Sequence, residues 1–351
     1  VMSSFLRGPI VVLSVIDGLA DSIASFTNTL EPRPSLVIPE PCLVTKIMKE
    51  QEVQAKLPDS LQNAEFFVAD PDLFAKILPQ VQVPNIKWIH STWAGPDKLI
   101  KLMKEGNSGL SISQYPILTR SAPTTSPMGW DLAEWTIGQI ISKERNFAQS
   151  YEDQKRSCWN KEPVLNYRSL RDLTLGVMGI GTIGSCIVRV ASNLNMNVLG
   201  LCRSRASTHQ DCPADKFYIT EELPEFFSSC DYVVNALPST KETRNLLDGD
   251  VFKHCKSGCV FMNVGRGDIC TEETLLKALH NEWIQGAVLD VLPTEPLPED
   301  SPLWKHPAVT ITPHVGGVSF PSTVLTSFIE EYKHIAKGET PPTAVNWENE
   351  Y

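Results

Sequence analysis

A glycine-rich turn between two apolar runs constrains the fold of this 351-residue chain more than any other feature. The run Leu175–Met178 leads into Gly179–Gly184, which reads Gly-Ile-Gly-Thr-Ile-Gly, and after an apolar-faced helical segment a second run lies at Val198–Leu201. In such a strand–turn–helix–strand unit, the first glycine permits the tight turn and the second lets backbone N–H groups approach a pyrophosphate. The third lets the helix pack closely on the strand. The pattern predicts a nicotinamide dinucleotide site; the alternative is a glycine-rich connection in another α/β protein.

The residues after the second apolar run indicate which dinucleotide is bound. Enzymes that select NAD usually carry Asp or Glu at this place, where the carboxylate accepts hydrogen bonds from the ribose 2′-hydroxyl. This chain has Arg203, Ser204 and Arg205 instead. Guanidinium groups suit a phosphate dianion through charge-assisted bidentate hydrogen bonds. We therefore expect NADPH to be preferred over NADH, although a pair of solvated loop arginines would give the same sequence.

Composition narrows the classes of protein to which the chain can belong. Its formal net charge of −10 disfavours a surface for nucleic acids or anionic membranes, and no apolar run approaches the roughly 20 residues of a membrane helix. The nine cysteines are scattered, with Cys255 and Cys259 the closest pair, and no Asn-x-Ser/Thr acceptor occurs. We expect no metal site and a reducing compartment, by default the cytoplasm.

Apolar runs alternate with helical patterns along most of the chain, which predicts parallel sheets covered by helices on both faces. The expected strands of the N-terminal part are Ile10–Val15, Leu36–Ile38, Phe66–Ala69, Lys87–Ser91 and Leu110–Ile112. A turn-rich stretch over 121–127 predicts a linker. The long apolar helical pattern Met128–Glu152 has more apolar surface than one core needs, and it favours a homodimer.

Three later segments each end a predicted strand with polar residues, where open α/β sheets bind ligands. They contribute Arg266 after Phe261–Asn263, Glu295 after Leu289, and His314 after Thr310–Thr312. One cation, one carboxylate and one imidazole suit the reduction of a 2-keto acid. The substrate carboxylate needs a cation, and the keto oxygen needs a proton as hydride reaches the carbon. Taken singly, each residue could equally be an ordinary loop residue.

Taken together, these segments resemble the family of D-isomer-specific 2-hydroxyacid dehydrogenases, and within it most closely the NADPH-dependent glyoxylate/hydroxypyruvate reductases. The similarity runs from about Trp88 to the C-terminus. Its most specific parts, besides the glycine turn, are Arg203–Arg205, Asn263–Gly267, Glu295–Pro298, Ser301–Pro307 and Thr312–His314.

The resemblance implies roles for individual residues. Arg266 would hold the substrate carboxylate and keto oxygen, Glu295 would keep His314 protonated, and His314 would deliver the proton. Backbone N–H groups of Trp93, Ala94 and Gly95 would also hold the substrate carboxylate. The residues expected to contact the cofactor are Gly179, Gly181, Thr182, Ile183, Gly184, Arg203, Ser204, Arg205, Leu237, Pro238, Thr243, Val264, Gly265, Arg266, Asp290, His314 and Gly316.

We therefore predict two doubly wound α/β domains with a cleft between them. A flavodoxin-like substrate domain would comprise residues 1–118, completed by the C-terminal helix in 319–351, and a Rossmann cofactor domain would comprise 119–318. The expected reaction is NADPH-dependent reduction of glyoxylate or hydroxypyruvate to the 2-hydroxy acid. Two alternatives remain at this point: a bulkier 2-keto acid as substrate, or a dinucleotide-sensing, corepressor-like protein on the same fold.

Overall fold

The computed structural model of the chain describes residues 8–30, 33–49, 56–107, 109–121, 127–204 and 212–350. The chain divides into two compact units. One takes its residues from Val1–Pro127 and Ser319–Tyr351, and the other from Met128–Val318. The expected boundary after residue 118 falls inside a strand, Ile117–Arg120, that pairs with the first sheet. The first unit therefore extends beyond that boundary.

The first unit is built on a five-stranded parallel sheet in the order β2-β1-β3-β4-β5, the flavodoxin-like order. Its strands are β1 (Ile10–Leu13), β2 (Leu36–Val37), β3 (Phe66–Ala69), β4 (Trp88–Ser91) and β5 (Ile117–Arg120). The helices of its N-terminal part are α1 (Leu19–Thr27), α2 (Pro41–Lys49), α3 (Asp59–Gln62), α4 (Pro71–Ile77) and α5 (Asp97–Gly106). Every residue of β1, β3 and β4 is buried, as expected for a parallel sheet that helices cover on both faces.

The second unit is built on a seven-stranded parallel sheet in the order β12-β11-β10-β9-β6-β7-β8. Its strands are β6 (Thr174–Met178), β7 (Asn197–Cys202), β8 (Lys216–Ile219), β9 (Tyr232–Asn235), β10 (Val260–Asn263), β11 (Gly286–Leu289) and β12 (Val309–Ile311). This is the Rossmann order with one added strand. The order reverses between β6 and β9, and open sheets of this kind bind ligands at the carboxyl ends of the strands around such a reversal.

Helices α6 to α11 accompany the second sheet, and a last helix returns the chain to the first. They are α6 (Pro127–Glu144), α7 (Phe147–Lys155), α8 (Glu162–Leu165), α9 (Thr182–Asn193), α10 (Leu223–Ser228), α11 (Glu272–His280) and α12 (Pro321–Lys337). Helix α12 packs on the first sheet, where the ring of Phe328 stacks on that of Trp88 with 5.5 Å between centroids. None of the described helices combines the length and apolar character that crossing a membrane requires.

Two predicted elements differ from the structure, and strands β5 and β8 are not predicted by the sequence. Leu110–Ile112 is not a strand, because the side chains of Ser111 and Gln114 cap a short 3-10 turn there. The long pattern Met128–Glu152 is two helices, since Asn146 adopts a left-handed φ of 50° between α6 and α7. Most of the linker over 121–127 lies outside the described residues.

Candidate active site

His314 and Glu295 form a direct pair beyond the carboxyl ends of β11 and β12. His314 Nδ1 lies 2.8 Å from Glu295 Oε2. The other oxygen of the carboxylate, Oε1, accepts a hydrogen bond of 2.9 Å from the backbone N–H of Leu292, which fixes its orientation. Since Nδ1 is engaged by Glu295, Nε2 is the ring nitrogen available to another molecule.

The pairing shifts the pKa values of both groups in opposite directions. The hydrogen bond to Glu295 raises the pKa of His314, against the opposing effect of burial. Burial alone would raise the pKa of Glu295, but the hydrogen bonds from His314 and the Leu292 N–H lower it below its usual range. The pairing therefore shifts the protonation equilibrium of both groups toward an imidazolium that faces a carboxylate.

Arg266 lies close enough to this pair for its charge to lower the pKa of both groups. It follows β10 in a turn where the guanidinium Nη1 donates to the carbonyl of Gly265 at 2.7 Å. Loops approach closely here: a Cβ on Gly267 would stand 2.0 Å from the carbonyl oxygen of Leu292. The structure thus brings together the three side chains that the sequence predicted, Arg266, Glu295 and His314.

A buried carboxylate organises the loop that carries His314. Asp290 follows β11 directly and is 2% exposed. Its Oδ1 accepts from the hydroxyl of Thr312 at 2.5 Å and from the N–H of Val315 at 2.9 Å, and its Oδ2 accepts from the N–H of Gly316 at 2.9 Å. His314 itself has a left-handed φ of 54°, and its N–H bonds the carbonyl of Asp290 at 2.9 Å. These bonds hold the histidine in a conformation that few residues adopt.

Two asparagines connect the loops after β9 and β10, and sequence reasoning gave neither a role. The amide of Asn235 donates to Asn263 Oδ1 at 2.9 Å, and both side chains are buried. Asn263 Oδ1 also accepts from the N–H of Gly265, and its Nδ2 donates to the carbonyl of Arg266 at 3.0 Å. The only sequence signal for this role is the position of both residues at the last place of a buried apolar strand.

The glycine turn has the geometry that a dinucleotide requires. Gly179 has a φ of 91°, and a Cβ on Gly184 would stand 1.9 Å from the Gly179 carbonyl oxygen. Helix α9 starts at Thr182, just after Gly181, with no described side chain capping it and no acidic residue in its first turn. Its first N–H groups therefore remain available to an anion. These residues fit the pyrophosphate of a nicotinamide dinucleotide.

The residues predicted to select the dinucleotide follow β7. Arg203 and Ser204 are exposed, while Arg205 lies outside the described residues. The pKa of Glu242, in the loop after β9, is lowered by hydrogen bonds from its own backbone N–H and from the side chain of Thr240. The charge of Arg203 lowers it further. The loops after β7 and β9 therefore lie near each other, beside the glycine turn.

The remaining residues expected at the cofactor lie in loops of the second unit, except Thr182 and Ile183, which begin helix α9. Thr243 donates its hydroxyl to the carbonyl of Pro238 at 2.5 Å and folds that loop on itself. Val264, Gly265 and Gly316 are buried, and Thr182, Ile183, Leu237 and Pro238 are half-buried.

The residues expected at the substrate carboxylate lie in the first unit, directly after β4. Trp93 is exposed, and Ala94 and Gly95 are half-buried. The N–H of Trp93 donates to Ser91 Oγ at 3.1 Å. The N–H groups of Ala94 and Gly95 donate to no described residue.

Comparison with known proteins places the chain in a family. A model of the family described as D-isomer specific 2-hydroxyacid dehydrogenase, NAD binding domain, matches residues 137–316, more than half of the chain. A solved structure of a D-isomer-specific 2-hydroxyacid dehydrogenase family protein from Aeromonas salmonicida is 27% identical, with a TM-score of 0.79 over 97% of this chain and 99% of that one.

Two further solved structures have nicotinamide dinucleotides bound. A probable 2-hydroxyacid dehydrogenase from Rhizobium etli, in complex with NADP, HEPES and L(+)-tartaric acid, is 26% identical, with a TM-score of 0.72 over 98% of this chain and all of that one (100%). An NADPH-dependent glyoxylate/hydroxypyruvate reductase from Sinorhizobium meliloti, in complex with NADP and sulfate, shares the fold at 23% identity, with a TM-score of 0.73 over 98% and 100%. Given the family match and the two parallel-sheet units, this chain belongs to the D-isomer-specific 2-hydroxyacid dehydrogenases and contains their nicotinamide dinucleotide domain.

Proposed function

We propose that this protein reduces a small 2-keto acid, glyoxylate or hydroxypyruvate, to the 2-hydroxy acid with NADPH. The observation that carries the proposal is the 2.8 Å pair of His314 and Glu295 beside Arg266. It provides a proton donor whose pKa the neighbouring carboxylate raises, and a cation for a substrate carboxylate. Family membership supplies the reaction type, and the cation of Arg266 beside the His314–Glu295 pair suits an anionic keto acid.

His314 is the proposed proton donor. When bound, the nicotinamide supplies a hydride to the keto carbon of the substrate. The Nε2–H of His314 then gives its proton to the keto oxygen, which would otherwise become an alkoxide. Glu295 stabilises the imidazolium before transfer and keeps Nδ1 as a hydrogen-bond donor throughout, so that the proton leaves from Nε2. In the reverse direction, neutral His314 accepts the hydroxyl proton.

Arg266 is proposed to bind the substrate carboxylate and to polarise the keto oxygen. A guanidinium suits this role because its planar donors match the oxygens of a keto acid. In the first unit, the loop from Trp93 to Gly95 is proposed to bind the carboxylate through backbone N–H groups. Of these, Ala94 and Gly95 are the ones with no described acceptor.

NADPH is the proposed reductant because Arg203, Ser204 and Arg205 replace the carboxylate that would bind the ribose 2′-hydroxyl of NAD. The NADP found in the Rhizobium etli relative, 26% identical to this chain, supports the choice. A ratio of kcat/KM for NADPH over NADH well above one is the expected result. Equal or better use of NADH would contradict it.

A panel of 2-keto acids tests the reaction. Glyoxylate, hydroxypyruvate and a bulkier acid such as phenylpyruvate are each assayed with both cofactors by the loss of absorbance of the reduced nicotinamide. Turnover that is fastest with the two small acids supports the proposal. Preference for phenylpyruvate would assign a bulkier substrate, and NADPH binding without turnover of any acid would favour a dinucleotide-sensing protein.

Two further predictions accompany the proposal: a homodimer and a location in the cytoplasm. Trp130 at the start of α6 is 43% exposed, although much of the same helix is buried. An exposed tryptophan on a long helix fits an interface between two copies of the chain. Sedimentation velocity of wild type and Trp130→Glu tests the first prediction; a dimer that the substitution dissociates is expected.

A further inference from the structure

We propose that Asp70 is a positioning residue for substrate binding: its buried carboxylate fixes the loop after β4, so that the Ala94 and Gly95 N–H groups are held ready for the substrate carboxylate. This inference rests on the function proposed above. Asp70 follows β3 directly and is 3% exposed. Neither the motifs in the sequence nor the resemblance pointed to it.

Three neutral donors converge on Asp70 from two loops. Its Oδ1 accepts from the hydroxyl of Ser14 at 2.7 Å and from that of Thr92 at 2.6 Å, and its Oδ2 accepts from the N–H of Val15 at 2.7 Å. Among the described residues it makes no ion pair. A buried carboxylate without a cation is costly unless its oxygens are satisfied by such donors. The hydrogen bonds thus tie the ends of β1, β3 and β4 to one group.

The contact with Thr92 is the one that reaches the proposed binding loop. The backbone of Thr92 is also bonded on both sides, since its N–H donates to Ala69 at 3.1 Å and its carbonyl accepts from Ser319 Oγ at 2.8 Å. The next residue, Trp93, is bonded through its carbonyl to the N–H of Ser121 at 3.2 Å. The chain after these bonds is Ala94-Gly95, whose N–H groups have no described acceptor. Backbone donors fixed in advance bind an anion without an ordering cost.

The second unit uses the same arrangement at its own sheet edge. Asp290 follows β11 as Asp70 follows β3, it is equally buried, and it accepts from one hydroxyl and two backbone N–H groups. The loop that it holds carries His314. Both buried aspartates therefore fix a loop to which the proposed reaction assigns a contact with the substrate.

A pair of matched variants separates positioning from general stability. Thr92→Val removes the hydroxyl that joins the loop to Asp70 Oδ1, and Ser14→Ala removes the other hydroxyl on the same oxygen without touching the loop. Asp70→Asn leaves one acceptor oxygen for three donors. We expect Thr92→Val and Asp70→Asn to raise KM for glyoxylate about tenfold, with kcat and KM for NADPH within about twofold of wild type. Ser14→Ala should leave both KM values unchanged.

Hydrogen exchange of the Thr92 and Trp93 amides gives a readout that does not depend on turnover. Both amides are hydrogen-bonded, and their exchange should become faster in Thr92→Val and Asp70→Asn but not in Ser14→Ala. Unchanged exchange in the first two variants would overturn the proposal, as would faster exchange with an unchanged KM for glyoxylate. If wild type reduces no keto acid, the proposed function fails, while exchange still decides whether Asp70 holds the loop.

Discussion

The carboxyl edges of the two sheets share a buried aspartate and differ in what surrounds it. In the first unit Asp70 receives hydrogen bonds from neutral donors, and the nearest histidine in the chain, His90, is fully buried. His90 lies 2.9 Å from Thr119 Oγ1 and 3.3 Å from Ser121 Oγ, and burial lowers its pKa to about 3. In the second unit His314 is half exposed and paired with Glu295, which raises its pKa.

This difference shows that environment, and not residue type, decides which histidine can move a proton. His90 stays neutral over the whole working pH range, because nothing compensates the loss of solvation that its charged form would suffer. His314 has a carboxylate at 2.8 Å and access to solvent, so both of its protonation states are reachable. The first edge is therefore suited to holding a ligand and the second to proton transfer.

Replacement of His314, in the second unit, should have the largest effect. His314→Asn removes the proposed acid, and we expect kcat for glyoxylate reduction to fall by about 10²–10⁴-fold. His334→Asn is the matched control, since Nδ1 of His334, in the last turn of α12, lies 2.9 Å from Oε2 of Glu339 just beyond the helix. That variant should keep wild-type kcat. A wild-type kcat in His314→Asn would show that His314 is not the proton donor.

Loss of one cation near the end of β7 should have a smaller effect. Arg203→Gln is expected to raise KM for NADPH by about tenfold, because one charge-assisted contact to the 2′-phosphate is lost. KM for NADH serves as the internal control and should change little, since NADH has no such phosphate. An equal rise in KM for NADPH and for NADH would show that Arg203 does not bind the 2′-phosphate.

Replacement of His90, in the first unit, should lower the free energy of unfolding and leave the pH dependence of kcat unaltered. His90→Gln disrupts buried hydrogen bonds to Thr119 and Ser121, so we expect the free energy of unfolding in urea to fall by about 1–3 kcal/mol. The inflection in the pH dependence of kcat should stay where it is in wild type. A moved inflection would mean that His90 takes part in the titration, and the contrast between the two edges would fail.

Features with local sequence rules were predictable. The glycine turn was predictable because only residues without a side chain fit the backbone at Gly179 and Gly184. The apolar runs were predictable as strands because helices cover a parallel sheet on both faces. The carboxyl ends of parallel strands lie along one edge, which is why Arg266, Glu295 and His314 could be expected near each other. Strand positions in the first unit followed the same reasoning except at its last strand.

Features that depend on partners distant in the chain were not predictable. Strand β8 lies at the edge of its sheet and carries a weak apolar pattern, and Ser111 competes locally with an extended conformation. The role of Asp70 requires donors 55 and 22 positions away, at Val15 and Thr92. A single Asp before Pro71 gives no hint of such contacts, because it is also the ordinary start of a helix.

The pH dependence of kcat in wild type and Glu295→Gln tests the central claim, that a carboxylate-held imidazolium protonates the substrate. Reduction requires charged His314, so kcat should fall as pH rises through its pKa, which Glu295 raises. Glu295→Gln removes the carboxylate whose hydrogen bond raises the pKa of His314, so the fall in kcat should move to lower pH. If both proteins lose activity at the same pH, or if wild-type kcat does not fall at all on the alkaline side, the proton does not come from this pair.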